Sequence, residues 1–513
     1  MKKLSSKVHP YTAAISILLI VLAIAALMAG MAGCGGGSPP IEIRTWHDLS
    51  DVINNLTANY ILMNDLDSTT AGYEELAGPT ANGGKGWDPI GGPGPGGLFP
   101  QIFYGTFDGC GHKICDLFIN RPDEISVGLF GVVGQGVVLK GEIKNLGVVN
   151  FTVTGNQSVA GLVAVSFVAS TVANCYATGT VTGNKFVGGL MGYTDHSSTV
   201  SSSYFTGSVT GGNWAGGLVG HNSGPVSNSY ATGNVTGGGQ VGGLVGQNDG
   251  GSVINCHATG SVIGFGSVGG LVGDNSGPVS ESYATGNVTG SCCYVGGLLG
   301  FNSDHVSNCH ATGNVTGNSD VGGLVGENGN DGIVSYSYAT GSVTGIDNVG
   351  GLVGWSIDGG TVNDCYATGS VAGNSSVGGL MGDSRGPVSD SYAKGNVTGT
   401  ENVGGLVGWN YAWGTVSNCY ATGNVTGSVS VGGLVGYNSG GTVANSFWDT
   451  ETSGQNSSAG GTGKNTTEMK DIDTFSAAAW NITAVGVPGE RNTGYIWNIV
   501  DDETYPFLSW QSV

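Results

Sequence analysis

Residues 226–246 read Val-Ser-Asn-Ser-Tyr-Ala-Thr-Gly-Asn-Val-Thr-Gly-Gly-Gly-Gln-Val-Gly-Gly-Leu-Val-Gly. Short runs rich in valine, threonine and tyrosine are broken by glycine, the signature of strands joined by turns. No helical periodicity of useful length runs through the stretch. Its closing phrase, Gly-Leu-Val-Gly or a near variant, occurs eleven times, with the leucine at Leu162, Leu190, Leu218, Leu244, Leu271, Leu298, Leu324, Leu352, Leu380, Leu406 and Leu434. Successive leucines stand 26 to 28 residues apart. A fixed period in the twenties means stacked units, none able to bury its apolar face alone. Two or three short strands per unit predict an all-β fold: a single-chain β-helix (β-solenoid) of eleven coils with N- and C-terminal caps. At about 4.8 Å per coil the array is a rod of roughly 50 Å.

Alternation assigns faces. Ser229, Ala231 and Val235 share one parity and belong inside, which turns Asn228, Tyr230, Thr232, Asn234 and Thr236 outward. The tyrosine position then forms an outward ladder: Tyr176, Tyr204, Tyr230, His257, Tyr283, His310, Tyr338, Tyr366, Tyr392, Tyr420 and Phe447. A variable residue follows the last ten of the eleven Gly-Leu-Val-Gly phrases: Tyr193, His221, Gln247, Asp274, Phe301, Glu327, Trp355, Asp383, Trp409 and Tyr437. An interior ladder would not tolerate Asp, Glu and Trp alike, so this slot is expected to face solvent. The next residue is often asparagine (Asn222, Asn248, Asn275, Asn302, Asn328, Asn410, Asn438), suited to bonding its neighbour or its own backbone.

There are ten cysteines. Cys175, Cys256, Cys309, Cys365 and Cys419 share one repeat position, which is serine in the other coils. No two fall in consecutive repeats. At two coils, about 9.6 Å, they are beyond the ~7 Å Cα limit for a disulfide. They are expected to be free, buried thiols in a structural ladder, interchangeable with serine. The same spacing keeps four ligands from one point, so neither metal nor other cofactor is expected.

The chain has 513 residues, of which 99 are glycine, without the every-third-residue period of collagen. Only 10% are charged and the net charge is -21. Between 151 and 450 stand three cations, Lys185, Arg385 and Lys394, against fifteen acids. A nucleic-acid partner is thereby excluded.

Lys2, Lys3 and Lys7 precede an apolar run over 13–28, and Met31-Ala32-Gly33-Cys34 precedes a Gly/Ser/Pro stretch. This pattern describes a secretory signal. Its end resembles a bacterial lipobox, which implies lipidation of Cys34 and makes the membrane a partner through that anchor. The expected division is a lipoprotein signal peptide over 1–33, a flexible tether over 34–40, an N-terminal cap over 41–135, the array over 136–450, and a C-terminal cap or small module over 451–513. A short helix is expected around Trp46 to Leu56. Asn465 with Glu468 forms a helix N-cap signal ahead of Met469.

Gly-Leu-Val-Gly with Tyr-Ala-Thr-Gly between resembles the GLUG motif family. Gly86-Trp87-Asp88-Pro89-Ile90-Gly91, Val127-Gly128-Leu129-Phe130-Gly131 and Ser446-Phe447-Trp448-Asp449 extend the resemblance beyond the array. It implies a bacterial or archaeal surface protein of adhesin-like type. Some members are peptidases with a His-Glu-x-x-His zinc site. None of the eight histidines here has Glu next and His four later. No catalytic residue is identified.

The expected function is a lipid-anchored β-solenoid on the outer side of the cell envelope, acting as an adhesin or as a structural or interaction protein. Surface glycans or proteins are its expected partners. Tyr338, Trp355, Tyr366, Tyr392, Trp409, Trp413, Tyr420 and Tyr437 are the candidate ligand-binding residues, because flat amphipathic rings suit sugar faces. The alternative is a secreted polysaccharide-degrading enzyme on a β-helix, for which Asp358, Asp364, Asp383 and Asp390 beside Arg385 are the only clustered acids.

Overall fold

The computed structural model describes residues 39–93, 100–134, 140–167, 169–357 and 359–511. Cys34, the signal-like segment and Asp358 lie outside the described residues. The chain divides into two compact units, Met1–Ile41 and Glu42–Val513, and the solenoid belongs to the second.

Each repeat is one coil. Over 226–248 the chain forms five short strands: Val226–Ser227, Tyr230–Ala231, Asn234–Gly237, Val241–Gly242 and Val245–Asn248. That is more than the two or three read from valine spacing, because tight corners cut the runs finer. One corner holds a residue with φ of 45° to 54° in coil after coil: Asn228, Asn255, Asn308, Asn418 and Asn445, but also Glu281, Tyr336, Asp364 and Asp390. Asparagine is the side chain that best tolerates this left-handed conformation, and it holds most of these places.

Every strand pairs parallel and in register with its equivalent one coil on. Val226 lies beside Val253, Tyr230 beside His257, Val235 beside Val262, Val241 beside Val268 and Val245 beside Val272. Stacking gives four faces in coil order. The first is a 15-stranded sheet, the second carries the tyrosine ladder, and the third and fourth are 12-stranded sheets. The eleven phrase leucines are all fully buried, with the valine, alanine and cysteine ladders around them. The phrase needs glycine for close approach: a methyl added at Gly270 would overlap the Gly297 carbonyl oxygen of the next coil.

The stack begins before the first full phrase. Thr106–Asp108, Lys113–Cys115, Phe118–Asn120, Ile125–Val127 and Phe130–Val133 form a further coil. Phe107 pairs with Ile143, Ile114 with Val148, Ile119 with Val153 and Phe130 with Val163. Leu129 takes the place of the phrase leucine and is fully buried. Ahead of this coil stands the helix Trp46–Ser50, whose Thr45 and Asp48 make a reciprocal capping box, followed by the 3-10 turn Asp51–Asn54. Trp46, Leu49 and Val52 join the solenoid core.

At the other end Trp448 turns inward and plugs the core. The chain then crosses the end of the stack, with Gly433 N–H donating to Ser457 O and Ala459 N–H to Val435 O. Residues 465–511 fold back along the side. Asn465 and Glu468 exchange backbone-to-side-chain bonds of 3.0 and 2.9 Å. Beyond them come the helix Ile472–Ser476 and a small sheet of Ile482–Ala484, Trp497–Ile499 and Phe507–Leu508.

Candidate functional site

The tyrosine ladder projects outward, since Ser229, Ala231 and Val235 are buried and Tyr230 is partly exposed. From Tyr176 to Tyr420 consecutive rings stack with centroids 4.8–5.2 Å apart and interplanar angles of 1–10°. Each flat face is therefore covered by the next ring, and only edges reach solvent. Burial lowers the pKa of His257 and His310, which favours neutral imidazoles within the stack. Sugar stacking on the ladder, the physical reason for naming Tyr338, Tyr366, Tyr392 and Tyr420, has no open ring face to use.

The C-terminal module corrects that reading further. Tyr392 is 2% exposed and Tyr420 is 0% exposed. Both pack with Phe447 into one cluster with Met469, Phe475, Trp480 and Trp497. The Tyr420 hydroxyl donates to Pro506 O at 2.5 Å, and Gln511 Nε2 donates to the Tyr392 oxygen at 2.6 Å. Trp510 lies 5.7 Å from the Tyr366 ring and 6.5 Å from that of Tyr338. These four residues are a docking strip for the chain's own tail.

The remaining named aromatics come together elsewhere. Trp355, Asp383, Trp409 and Tyr437 are lateral neighbours on the fourth face, one per coil. In the turns beside them the Arg385 guanidinium lies 4.2 Å from the Tyr411 ring centroid and 5.1 Å from that of Trp355. Trp409 stacks on Tyr411 at 4.5 Å, and its Nε1 donates to Ser439 Oγ at 3.1 Å. Trp413 is 78% exposed and, with Arg385, Gly386 and Pro387, lines a cavity of about 270 Å³. Tyr437 is also exposed. The patch thus joins open ring faces to a cation held between two aromatic rings.

The variable slot is less open than expected. Asp383 is only 4% exposed, because long side chains from adjacent coils close over it. Burial pushes its carboxyl pKa up to about 7 against the pull of Arg385, whose Nη2 is 3.8 Å from Oδ2. Asp383 Oδ1, Arg385 Nε and Trp355 Nε1 have no hydrogen-bond partner among the described residues. Glu327 is likewise buried.

Asp364 and Asp390, named with Asp383, do not converge on it. Asp364 and Asp390 occupy the left-handed corner ahead of the tyrosine ladder, where Trp497 Nε1 and Asn418 Nδ2 each donate to Asp390 Oδ1 at 3.3 Å.

Cys175, Cys256, Cys309, Cys365 and Cys419 are buried free thiols. Each Sγ donates to the carbonyl two residues back, as Cys365 does to Asn363 O at 3.1 Å, and the ladder serines do the same, as Ser391 does to Ser389 O at 2.7 Å. Burial raises the Cys175 and Cys309 thiols to about 12. Asn222, Asn248, Asn275, Asn302 and Asn328 are fully buried. Along this row each Nδ2 donates to Oδ1 of the next asparagine at 2.7–2.9 Å. These ladders are internal and touch no ligand surface.

Two patch residues carried weak signals in the sequence. Tyr411 sits in the turn 410–414, which holds two aromatics where other turns carry Ser, Asp and Gly. Arg385 lies two residues past the variable slot and stands out only as a cation in a nearly cation-free array.

Fold and ladders together define a parallel β-solenoid built of short, glycine-punctuated repeats. The family described as "The GLUG motif" matches six stretches of the array, residues 211–236, 237–263, 291–316, 317–344, 347–372 and 399–426. The chain is similar to Halomucin of Haloquadratum walsbyi, with 36% identity over 151 residues, 29% of this chain and 2% of that protein. It is also similar to a candidate Gly-rich membrane protein of Evansella cellulosilytica, at 35% identity over 133 residues, 25% of this chain and 13% of that one. The chain thus spans a small fraction of the curated relatives it matches. Among solved structures, a candidate immunoglobulin A1 protease from Bacteroides ovatus aligns at 25% identity with a TM-score of 0.39, over 49% of this chain and 76% of that one.

Proposed function

We propose that this chain is an outward-facing scaffold of the cell envelope, tethered through a lipid on Cys34, that binds neutral glycans at the patch around Trp413. The observation that carries the binding assignment is the grouping of an exposed indole with the Arg385 guanidinium stacked between Trp355 and Tyr411. Ring faces bind the apolar face of a sugar, while the part-exposed guanidinium of Arg385 donates to its hydroxyls. The GLUG repeats, and a relative whose name describes a membrane protein, support the location.

A glycan array probed with the secreted form of the chain, in parallel with Trp413→Ala and Arg385→Gln, tests the binding. Retention of specific glycans by the parent and their loss in both variants is expected. Equal retention by all three contradicts the patch. Release of new reducing ends from a retained polysaccharide would instead favour the enzyme alternative, with Asp383 as the titrating acid.

A further inference from the structure

Five cations lie outside any ion pair among the described residues: Lys140, Lys185, Lys394, Lys470 and Arg491. Three of them, Lys394, Lys470 and Arg491, line one cavity of about 400 Å³ between the solenoid and the C-terminal module. In a chain of net charge -21 such a gathering needs a reason. Glu503 is the one acidic residue of the lining, so the cavity keeps a positive balance.

Lys394 is the telling member. It follows Tyr392-Ala393, in the slot that is threonine in nine other coils, at Thr178, Thr206, Thr232, Thr259, Thr285, Thr312, Thr340, Thr368 and Thr422. The exception falls in the coil where the module docks. Each cation also sits by a ring that lines the same cavity: Lys394 Nζ is 4.8 Å from the Tyr392 centroid, Lys470 Nζ is 5.8 Å from Tyr505, and the Arg491 guanidinium is 4.3 Å from Phe507. The Arg491 side chain is fixed by donating to the Gln511 and Glu490 carbonyls at 3.1 and 2.9 Å. Unpaired cations among aromatic walls match a ligand that is anionic and ring-shaped at once.

We propose that this cavity binds an acidic saccharide, a sugar ring bearing carboxylate groups, through Lys394, Lys470 and Arg491. The site shares no residue with the Trp413 patch and does not depend on it. Calorimetric titration of the chain with a trisaccharide of uronic acid, with its neutral hexose counterpart and with sodium sulfate tests the assignment. It is run on the parent and on Trp413→Ala, so that failure of the patch is read separately. The uronic trisaccharide is expected to bind both chains, to weaken as salt rises, and to bind at least tenfold more weakly to Lys394→Thr and to Arg491→Gln. Thr is the native residue of nine coils at that slot, so Lys394→Thr is expected to melt like the parent. Undetectable binding of the uronic trisaccharide, binding untouched by both substitutions, or sulfate binding as tightly as the trisaccharide would overturn the proposal.

Discussion

At the scale of single residues, burial decides chemistry. Burial pushes the Asp383 carboxyl pKa up to about 7, although the Arg385 guanidinium beside it pulls the other way. Its folded pKa lies above its unfolded value, so folding takes up a proton between about pH 4 and 7 and stability falls as pH rises through that window. Asp383→Asn is therefore expected to raise the unfolding free energy at pH 8, on the order of 1–3 kcal/mol, and to leave it unchanged near pH 4. Denaturant titrations at the two pH values check the sign. The ladder cysteines follow the same logic, since burial keeps their thiols protonated. Alkylation of the native protein is expected to mark Cys110, Cys115, Cys292 and Cys293, and to reach Cys175, Cys256, Cys309, Cys365 and Cys419 only after unfolding. Mass spectrometry of the alkylated peptides reads this directly. The cysteine position was legible because serine alternates with it at a constant spacing. The unusual acidity of Asp383 was not, since it depends on side chains of adjacent coils, such as Trp355 and Trp409, that lie beside it in space and a whole repeat away in sequence.

At the scale of elements, the asparagine ladder is the polar counterpart of the leucine one. Asn275 accepts from Asn248, donates to Asn302 and also donates to Gly277 O at 2.7 Å. Removing it takes one hydrogen-bond partner from each of three buried groups. Asn275→Ala is expected to cost about 2–4 kcal/mol, whereas Asn275→Ser costs less, because Ser356 and Ser384 fill the same slot in native coils with a bond to the local glycine carbonyl. Gly270→Ala is expected to be at least as damaging, since its methyl would meet the Gly297 carbonyl of the neighbouring coil. Chemical denaturation of the variants checks the ranking. The parity of the tyrosines could be read from alternation alone. What alternation does not contain is that identical rings in register stack face to face. That fact converts a row of sugar platforms into a row of edges.

At the scale of the whole molecule, the repeats set the architecture and the departures from them carry both proposed binding sites. Coil stacking was legible from the eleven-fold phrase, and Leu129 shows that it extends one coil into the N-terminal region. The path of residues 465–511 was not legible, because their helix and small sheet carry no repeat signal and find their partner along the side of the stack. They cover Tyr392, Tyr420 and Phe447, and so determine which surface remains for ligands. The residues that break the pattern then stand out. Arg385, Tyr411 and Trp413 gather on one edge, while Lys394 meets Lys470 and Arg491 at the module seam. In the function proposed above, ligand binding belongs to the irregular coils, with the regular ones serving as a rigid spacer.

Hydroxyl-radical footprinting of the native chain, read by mass spectrometry, tests this division most directly. Trp413 is expected to be oxidised most heavily and Tyr204, Tyr230 and Tyr283 to be oxidised at their edges, with Tyr392 and Tyr420 protected. Oxidation of Tyr392 and Tyr420 at the level of Tyr204 would mean that the ladder is open along its length, and would contradict the account.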